Sequence, residues 1–322
     1  MKTINKAFGQ NDNIIKMLWR DHGYVFALII LLICATIANP QFMTSTNLFN
    51  ILRQTSIVGI IALGMTFVII AGGIDLSVGS VLSVCAVVIL QFSNMGVPVF
   101  ICILLGCVVG MLIGTVNGLL IAKAKLAPFI VTLATMTTAR SLVIFLSDGA
   151  TIAIRDLNSP LAAFGGGKIG IIPIPVIIFI IVIIICFFLL RNTKFGRYVF
   201  AIGGNEITAL YSGIKVDRIK IMTYALTGLL IGIASVVETG RLLSVSSSTS
   251  GLYYEMDAIA AVIIGGTPLT GGKGNILGTV FGIITLGIIG NIMNLMNISP
   301  YLNGAVKGVI IVIVVLLQRR NK

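Results

Sequence analysis

Charge is scarce in this chain: only 10% of its 322 residues are Asp, Glu, Lys or Arg, against about a quarter in soluble globular domains. Histidine is scarcer still, and His22 stands alone. A Ser-His-Asp arrangement and a histidine proton relay are therefore excluded. The five cysteines (Cys34, Cys85, Cys102, Cys107, Cys186) lie in apolar stretches without CxxC or CxxH spacing, so neither a metal nor a disulfide framework is expected. No GxxxxGK[ST] occurs, because Gly265–Gly274 lacks the Lys-Ser/Thr ending that cradles phosphate. With these absences the chain is expected to be no enzyme and to carry no cofactor. The net charge of +12 does not imply nucleic acid, because the basic residues sit between apolar runs rather than on one reading face.

What is abundant is apolar sequence: 57% of residues are hydrophobic and the mean hydropathy is +1.10. A bilayer core of about 30 Å takes about 20 apolar residues per helix, and such long continuous runs exclude a closed barrel. The fold expected is all-α and polytopic, with about ten spans: Tyr24–Ala38, Ser56–Gly72, Leu76–Phe92, Pro98–Ala122, Pro128–Leu146, Ile171–Leu190, Ile221–Val237, Glu255–Thr270, Asn275–Asn297 and Ala305–Gln318. The third and eighth are the weakest, and an eight-span alternative turns the Asp75 and Thr267 regions into re-entrant loops. Before the first span, Met1–Gly23 reads as a polar tail; Tyr24–Lys322 reads as one transmembrane domain.

Orientation follows from the basic residues, which gather on cytoplasmic loops. On the ten-span count one side holds Lys2, Lys6, Lys16, Arg20, Lys123, Lys125, Arg191, Lys194, Arg197, Lys215, Arg218, Lys220, Lys273, Arg319, Arg320 and Lys322. The other holds Arg53, Arg155, Lys168, Arg241 and Lys307, with Arg140 inside the fifth span. Both termini are thus expected in the cytoplasm, in either topology.

Two stretches suggest an internal duplication: Gly72-Gly73-Ile74-Asp75-Leu76-Ser77-Val78-Gly79-Ser80 and Gly265-Gly266-Thr267-Pro268-Leu269-Thr270-Gly271-Gly272-Lys273 share a GG-x-x-L-[ST]-x-G pattern. Glycine-interrupted helices at corresponding places point to a central pathway in repeat-built transporters. Ionisable groups within apolar segments cost about 2.5–3.5 kcal/mol on insertion scales, so Asp75, Arg140, Glu238, Glu255 and Asp257 each need a reason. Asp75 has two readings: an N-cap accepting the amide of Ser77 or Val78 for a helix starting at Leu76, or a pathway group at a backbone break. Glu238 and Arg241, three apart, read as an interfacial ion pair. Asn117, Thr132, Thr135, Asn291 and Asn294 fit interhelical hydrogen bonds as well as a pathway for a hydroxyl-rich solute. With Asp75 and Ser77, the residues Asn117, Thr132, Asn291 and Asn294 form the candidate pathway set. Gly106, Gly110, Gly114 and Gly118 share one helix face and read as a close helix contact.

The loop Arg191–Lys220 is polar yet ordered in pattern: Asn205 reads as the N-cap of a short helix Asn205–Ser212, and Gly213 as its stop. Such a helix needs a cover, either a partner protein or the lipid headgroups. Here the sequence becomes familiar. Lys194-Phe195-Gly196-Arg197-Tyr198-Val199-Phe200-Ala201-Ile202-Gly203-Gly204-Asn205 with Ser212-Gly213-Ile214 resembles the coupling loop of bacterial ribose-type sugar ABC permeases. Asn47-Leu48-Phe49-Asn50-Ile51-Leu52, the Asp75 and Thr267 motifs, and Tyr254-Glu255-Met256-Asp257-Ala258-Ile259-Ala260-Ala261 resemble that family in order and spacing.

The resemblance implies the membrane subunit of an ATP-driven importer in the bacterial inner membrane, paired as a homodimer or heterodimer. Its partners would be two ATP-binding domains inside, a soluble sugar-binding protein outside, and membrane lipid. Gly203, Gly204, Asn205, Glu206 and Gly213 would dock the ATPase. Ile207-Thr208 departs from the paired alanines frequent in importer loops, and the sugar itself is left open. The competing reading is an ion-coupled secondary transporter, which would need a carboxylate relay for which only Asp75 is a fair candidate.

Overall fold

The computed structural model describes residues 28–157 and 159–299, together with 302, 304–306, 308, 309 and 312. The tail Met1–Gly23, the start of the expected first span and most of Ala305–Gln318 lie outside the described residues, so the position of the two termini does too. In chain order the helices are α1 (Leu28–Ala38), α2 (Ser45–Ile70), α3 (Val78–Asn94), α4 (Val99–Ala122), α5 (Pro128–Leu146), α6 (Leu161–Gly166), α7 (Ile174–Asn192), α8 (Lys194–Gly204), α9 (Glu206–Tyr211), α10 (Val216–Leu242), α11 (Tyr254–Ile264) and α12 (Ile276–Leu295). Four short strands accompany them: β1 (Thr151–Ala153), β2 (Lys168–Ile169), β3 (Ile172–Pro173) and β4 (Ser244–Ser246).

Six of these helices, α2, α4, α5, α7, α10 and α12, are long and apolar enough to cross a membrane. The count of about ten is not reached among the described residues. At 17 residues α3 rises about 25 Å, close to a full span, whereas the 11 residues of α11 rise only about 16 Å, half of one. Beyond Ile264 the expected eighth span, Glu255–Thr270, breaks at Gly265-Gly266. In the other direction, α2 begins eleven residues before the expected Ser56, because Thr44 caps it through the Asn47 amide. Hydropathy missed this first stretch because Asn47, Asn50, Arg53 and Gln54 interrupt it.

Residues Thr55–Ile70 of α2 are buried on all sides, as a helix apolar all round must be. Around it pack α7, α10, α11 and α12, while α4, α5 and α7 turn large apolar side chains outward. The helix α10 lies along α4, and the glycine face explains why the two come so close. A side chain at Gly110 or Gly114 would strike the Gly228 or Tyr224 carbonyl, and one at Gly118 would meet Ile221. Gly106 faces Ile89 of α3 instead.

The basic loops gather at one end of the bundle. Lys123, Lys125, Lys215 and Arg218 line a groove beside α9, and Arg191 lines a cavity with Phe200 of α8. At the opposite end β1 pairs antiparallel with β4, Ile152 opposite Val245. Asn94 ties α3 to this cap, donating to the Ala153 carbonyl and accepting the Arg155 amide, each at 2.9 Å.

Candidate docking segment and intramembrane relay

At the basic end Thr193 starts α8 by accepting the Gly196 amide, and Asn205 starts α9 by accepting the Thr208 amide at 2.9 Å. The helix α9 closes with the Gly213 amide on the Leu210 carbonyl and the Ile214 amide on the Ala209 carbonyl. This paired closure requires a left-handed residue between the two bonds, and Gly213, with φ of 80°, supplies it without a Cβ penalty. Glu206, at the positive end of α9, is held by Lys220 of α10 at 2.7 Å. Beside it Lys125 pairs with Asp217 at 2.8 Å, a bond that raises the lysine above its ordinary pKa. The outward face of α9 is apolar: Ile207, Leu210 and Tyr211, three and four residues apart, are 67%, 60% and 87% exposed. Fully burying such side chains is worth about 1.5–3 kcal/mol each, so this face favours a cover.

The inner side of the segment rests on the helix breaks. Where α2 ends, the Gly72 amide bonds the Ile69 carbonyl and the Gly73 amide the Val68 carbonyl. The helix α11 ends in the same way, with Gly266 on Ile263 and Thr267 on Val262. The two stretches that resemble each other in sequence thus terminate their helices by one motif. They also meet: the Gly272 amide donates to the Ile70 carbonyl at 2.9 Å. A side chain at Gly203, the penultimate residue of α8, would collide with that carbonyl and that amide. Gly204, in contrast, faces open space. A cavity of about 110 Å³ joins Ile202, Gly203 and Glu206 to Gly72, Gly73 and Tyr224.

From the first break a chain of hydrogen bonds runs through the bundle. Asp75 Oδ1 accepts both the amide and the hydroxyl of Ser77, at 2.9 and 2.6 Å. Ser77 Oγ accepts from Asn117 Nδ2 at 3.2 Å, and Asn117 Oδ1 accepts the Thr135 hydroxyl at 2.6 Å. Asp75, Ser77 and Asn117 are each at most 2% exposed. Tyr224 of α10 braces the break by donating to the Ile74 carbonyl. Asn117, Thr135 and Thr138 are the polar lining of a 510 Å³ cleft between α4 and α5, the rest of which is apolar, such as Val116 and Ile130.

The amide bond expected of an Asp75 cap is present, but the helix begins later, at Val78. Asp75 therefore closes a turn ahead of α3, with Ser77 in the cap position. Of the other candidates, Thr132 is buried and bonds back to the Pro128 carbonyl, outside the relay. Asn291 pairs reciprocally with Asn47 at 2.7 and 2.9 Å near the strand-capped end, an interhelical contact. Asn294 lines a separate 60 Å³ cleft with Thr55 and Asp257. Glu238 does not make the expected surface pair with Arg241: it is 2% exposed, buried within α10. Sequence reasoning missed Tyr224 as a tie, though a tyrosine inside an apolar span signals a hydroxyl that must find a partner.

Residues 47–315 match the family described as branched-chain amino acid transport system / permease component. The ribose import permease protein of Bacillus subtilis is 47% identical over 299 residues, 93% of this chain and 92% of its own. The chain belongs to the ribose-type import permease family. The ribose import permease protein of Haemophilus influenzae is 42% identical, covering 90% of each chain, and the L-arabinose transport system permease protein of Escherichia coli is 37% identical, covering 94% and 91%. No solved structure matches the permease.

Proposed function

We propose that this permease carries a monosaccharide, ribose first among candidates, across the bacterial inner membrane as the membrane subunit of an ATP-driven importer. The observation that carries this is the 47% identity to a ribose import permease over nearly the full length of both chains. The basic end faces the cytoplasm, where the charge bias puts it. There the apolar face of α9 docks an ATP-binding domain, one on each of two paired permeases. ATP hydrolysis belongs to that partner, and a soluble binding protein delivers sugar at the β1–β4 end. The α8–α9 segment, through Gly203, Ile70 and Gly272, is the route by which docking reaches the Asp75 relay. The ion-coupled alternative gains no support here, because Asp75 Oδ1 is engaged by two donors within a closed turn.

A strain lacking its own ribose import, given this chain with a matching ATPase and ribose-binding protein, is expected to accumulate labelled ribose. Omitting the ATPase should reduce accumulation to background. Equal accumulation without the ATPase would overturn the reading, and preference for another sugar when each binding protein is supplied would reassign the substrate.

A further inference from the structure

The half-length of α11 leaves a gap at the strand-capped end, and the chain fills it with a descending loop. After β4 the segment Ser247–Tyr253 buries Ser247, Ser250 and Gly251 while Ser248, Thr249, Leu252 and Tyr253 stay exposed. Gly251 lies backbone to backbone against Gly79, in the first turn of α3, where a side chain on either would strike the other's carbonyl. Ser83 Oγ donates to the Ser250 carbonyl at 2.6 Å. Ser83 precedes Asn94, the residue fixed to the outer cap, by eleven positions, so the loop reaches about 16 Å below that cap. Seen from the relay, the loop sits directly above it: Ser83 is about 9 Å up α3 from Ser77, and Arg140 about 7.5 Å up α5 from Thr135.

Arg140 lies within α5, and its hydrogen bonds go to the loop's main chain. Nη1 donates to the carbonyls of Ser250 at 2.9 Å and Ser247 at 3.4 Å. A guanidinium matches a carboxylate fork better than two carbonyls, and the charges of Glu255 and Glu238 act on it without an ion pair to either among the described residues. One oxygen of Glu238 is buried with no hydrogen-bond partner. The cation is thus spent on neutral carbonyls while Glu238 keeps one oxygen without a hydrogen bond.

We propose that Ser247–Tyr253 is the outer gate of the pathway and Arg140 its latch, exchanging the Ser247 and Ser250 carbonyls for Glu255 and Glu238 when the gate opens. The closed form is the one described, with Ser247 and Ser250 each 6% exposed.

The test uses the full transporter with the native cysteines replaced. Ser83→Cys with Ser250→Cys, bridged by a short bifunctional thiol reagent, is expected to lose at least tenfold in sugar uptake, restored by reductant, while ATP hydrolysis persists. In parallel, Ser250→Cys alone should react with a membrane-impermeant maleimide from outside at least tenfold faster when Arg140→Gln is added. Unchanged uptake after bridging, or labelling indifferent to Arg140, would overturn the gate. The proposal rests on the importer reading, yet the two fail separately. Absence of ATP-driven uptake in the unbridged pair would count against the importer, and the labelling comparison would still decide the gate.

Discussion

Gly203→Ala is expected to lower sugar uptake at least tenfold at matched membrane levels, whereas Gly204→Ala stays within about twofold of the parent. The two residues are neighbours at the end of α8 and look interchangeable in sequence. Their surroundings differ completely. A methyl at Gly203 lands on the Ile70 carbonyl and the Gly272 amide, which are bonded to each other at 2.9 Å. Overpacking of a tight contact costs about 1–3 kcal/mol and loss of a hydrogen bond about 1 kcal/mol, together more than the 1.4 kcal/mol that a factor of ten requires. At Gly204 the added methyl meets nothing. Measuring ATP hydrolysis alongside uptake separates two causes. If Gly203 transmits docking to the helix breaks, hydrolysis by the assembled complex persists while uptake falls. Equal uptake in the two variants would remove Gly203, Ile70 and Gly272 from the coupling route.

The second large effect is expected at Asp75, where charge and geometry can be separated. Asp75→Asn should retain most uptake, because both bonds from Ser77 arrive at a single oxygen that the amide also carries. Asp75→Leu removes the acceptor and leaves the Ser77 amide and hydroxyl buried without it. Each unsatisfied group costs about 1–3 kcal/mol, enough to reset Ser77 and with it the bond to Asn117. Initial uptake by Asp75→Leu is expected below a tenth of the parent. Failure of Asp75→Asn at normal membrane levels would mean that the negative charge itself takes part, and the ion-coupled reading would return.

The spans and the helices of the α8–α9 segment were legible for one reason: each is a local pattern. Apolar runs mark α4, α5, α7 and α12 to within three residues at each end, and Asn205 with Gly213 marks the ends of α9 through cap and stop chemistry. What escaped the sequence was non-local. The start of α2 was hidden because its first turns carry Asn47, Asn50, Arg53 and Gln54, which hydropathy counts as loop, although Asn47 is satisfied by Asn291 from the far end of the chain. Glu238 looked like half of a surface pair because Arg241 lies one turn on, and only packing shows it buried. The candidate pathway residues were chosen by type, so they mixed two places. Asp75, Ser77 and Asn117 converge with Thr135, while Asn291 and Asn294 lie elsewhere. The shortness of α11 was half visible, since the Gly265-Gly266 break lies inside an apolar stretch, but its depth in the bundle depends on Gly79 meeting Gly251, a contact that spacing along the chain cannot encode.

The central claim is that transport draws on ATP through a partner docked at α8–α9, and the energy source decides it. Proteoliposomes holding the permease with its ATPase and supplied with loaded binding protein are expected to take up ribose when ATP is enclosed with the cytoplasmic face. Vanadate should abolish that uptake, and proton or sodium gradients should drive none. Gradient-driven uptake that persists without ATP and ignores vanadate would contradict the account.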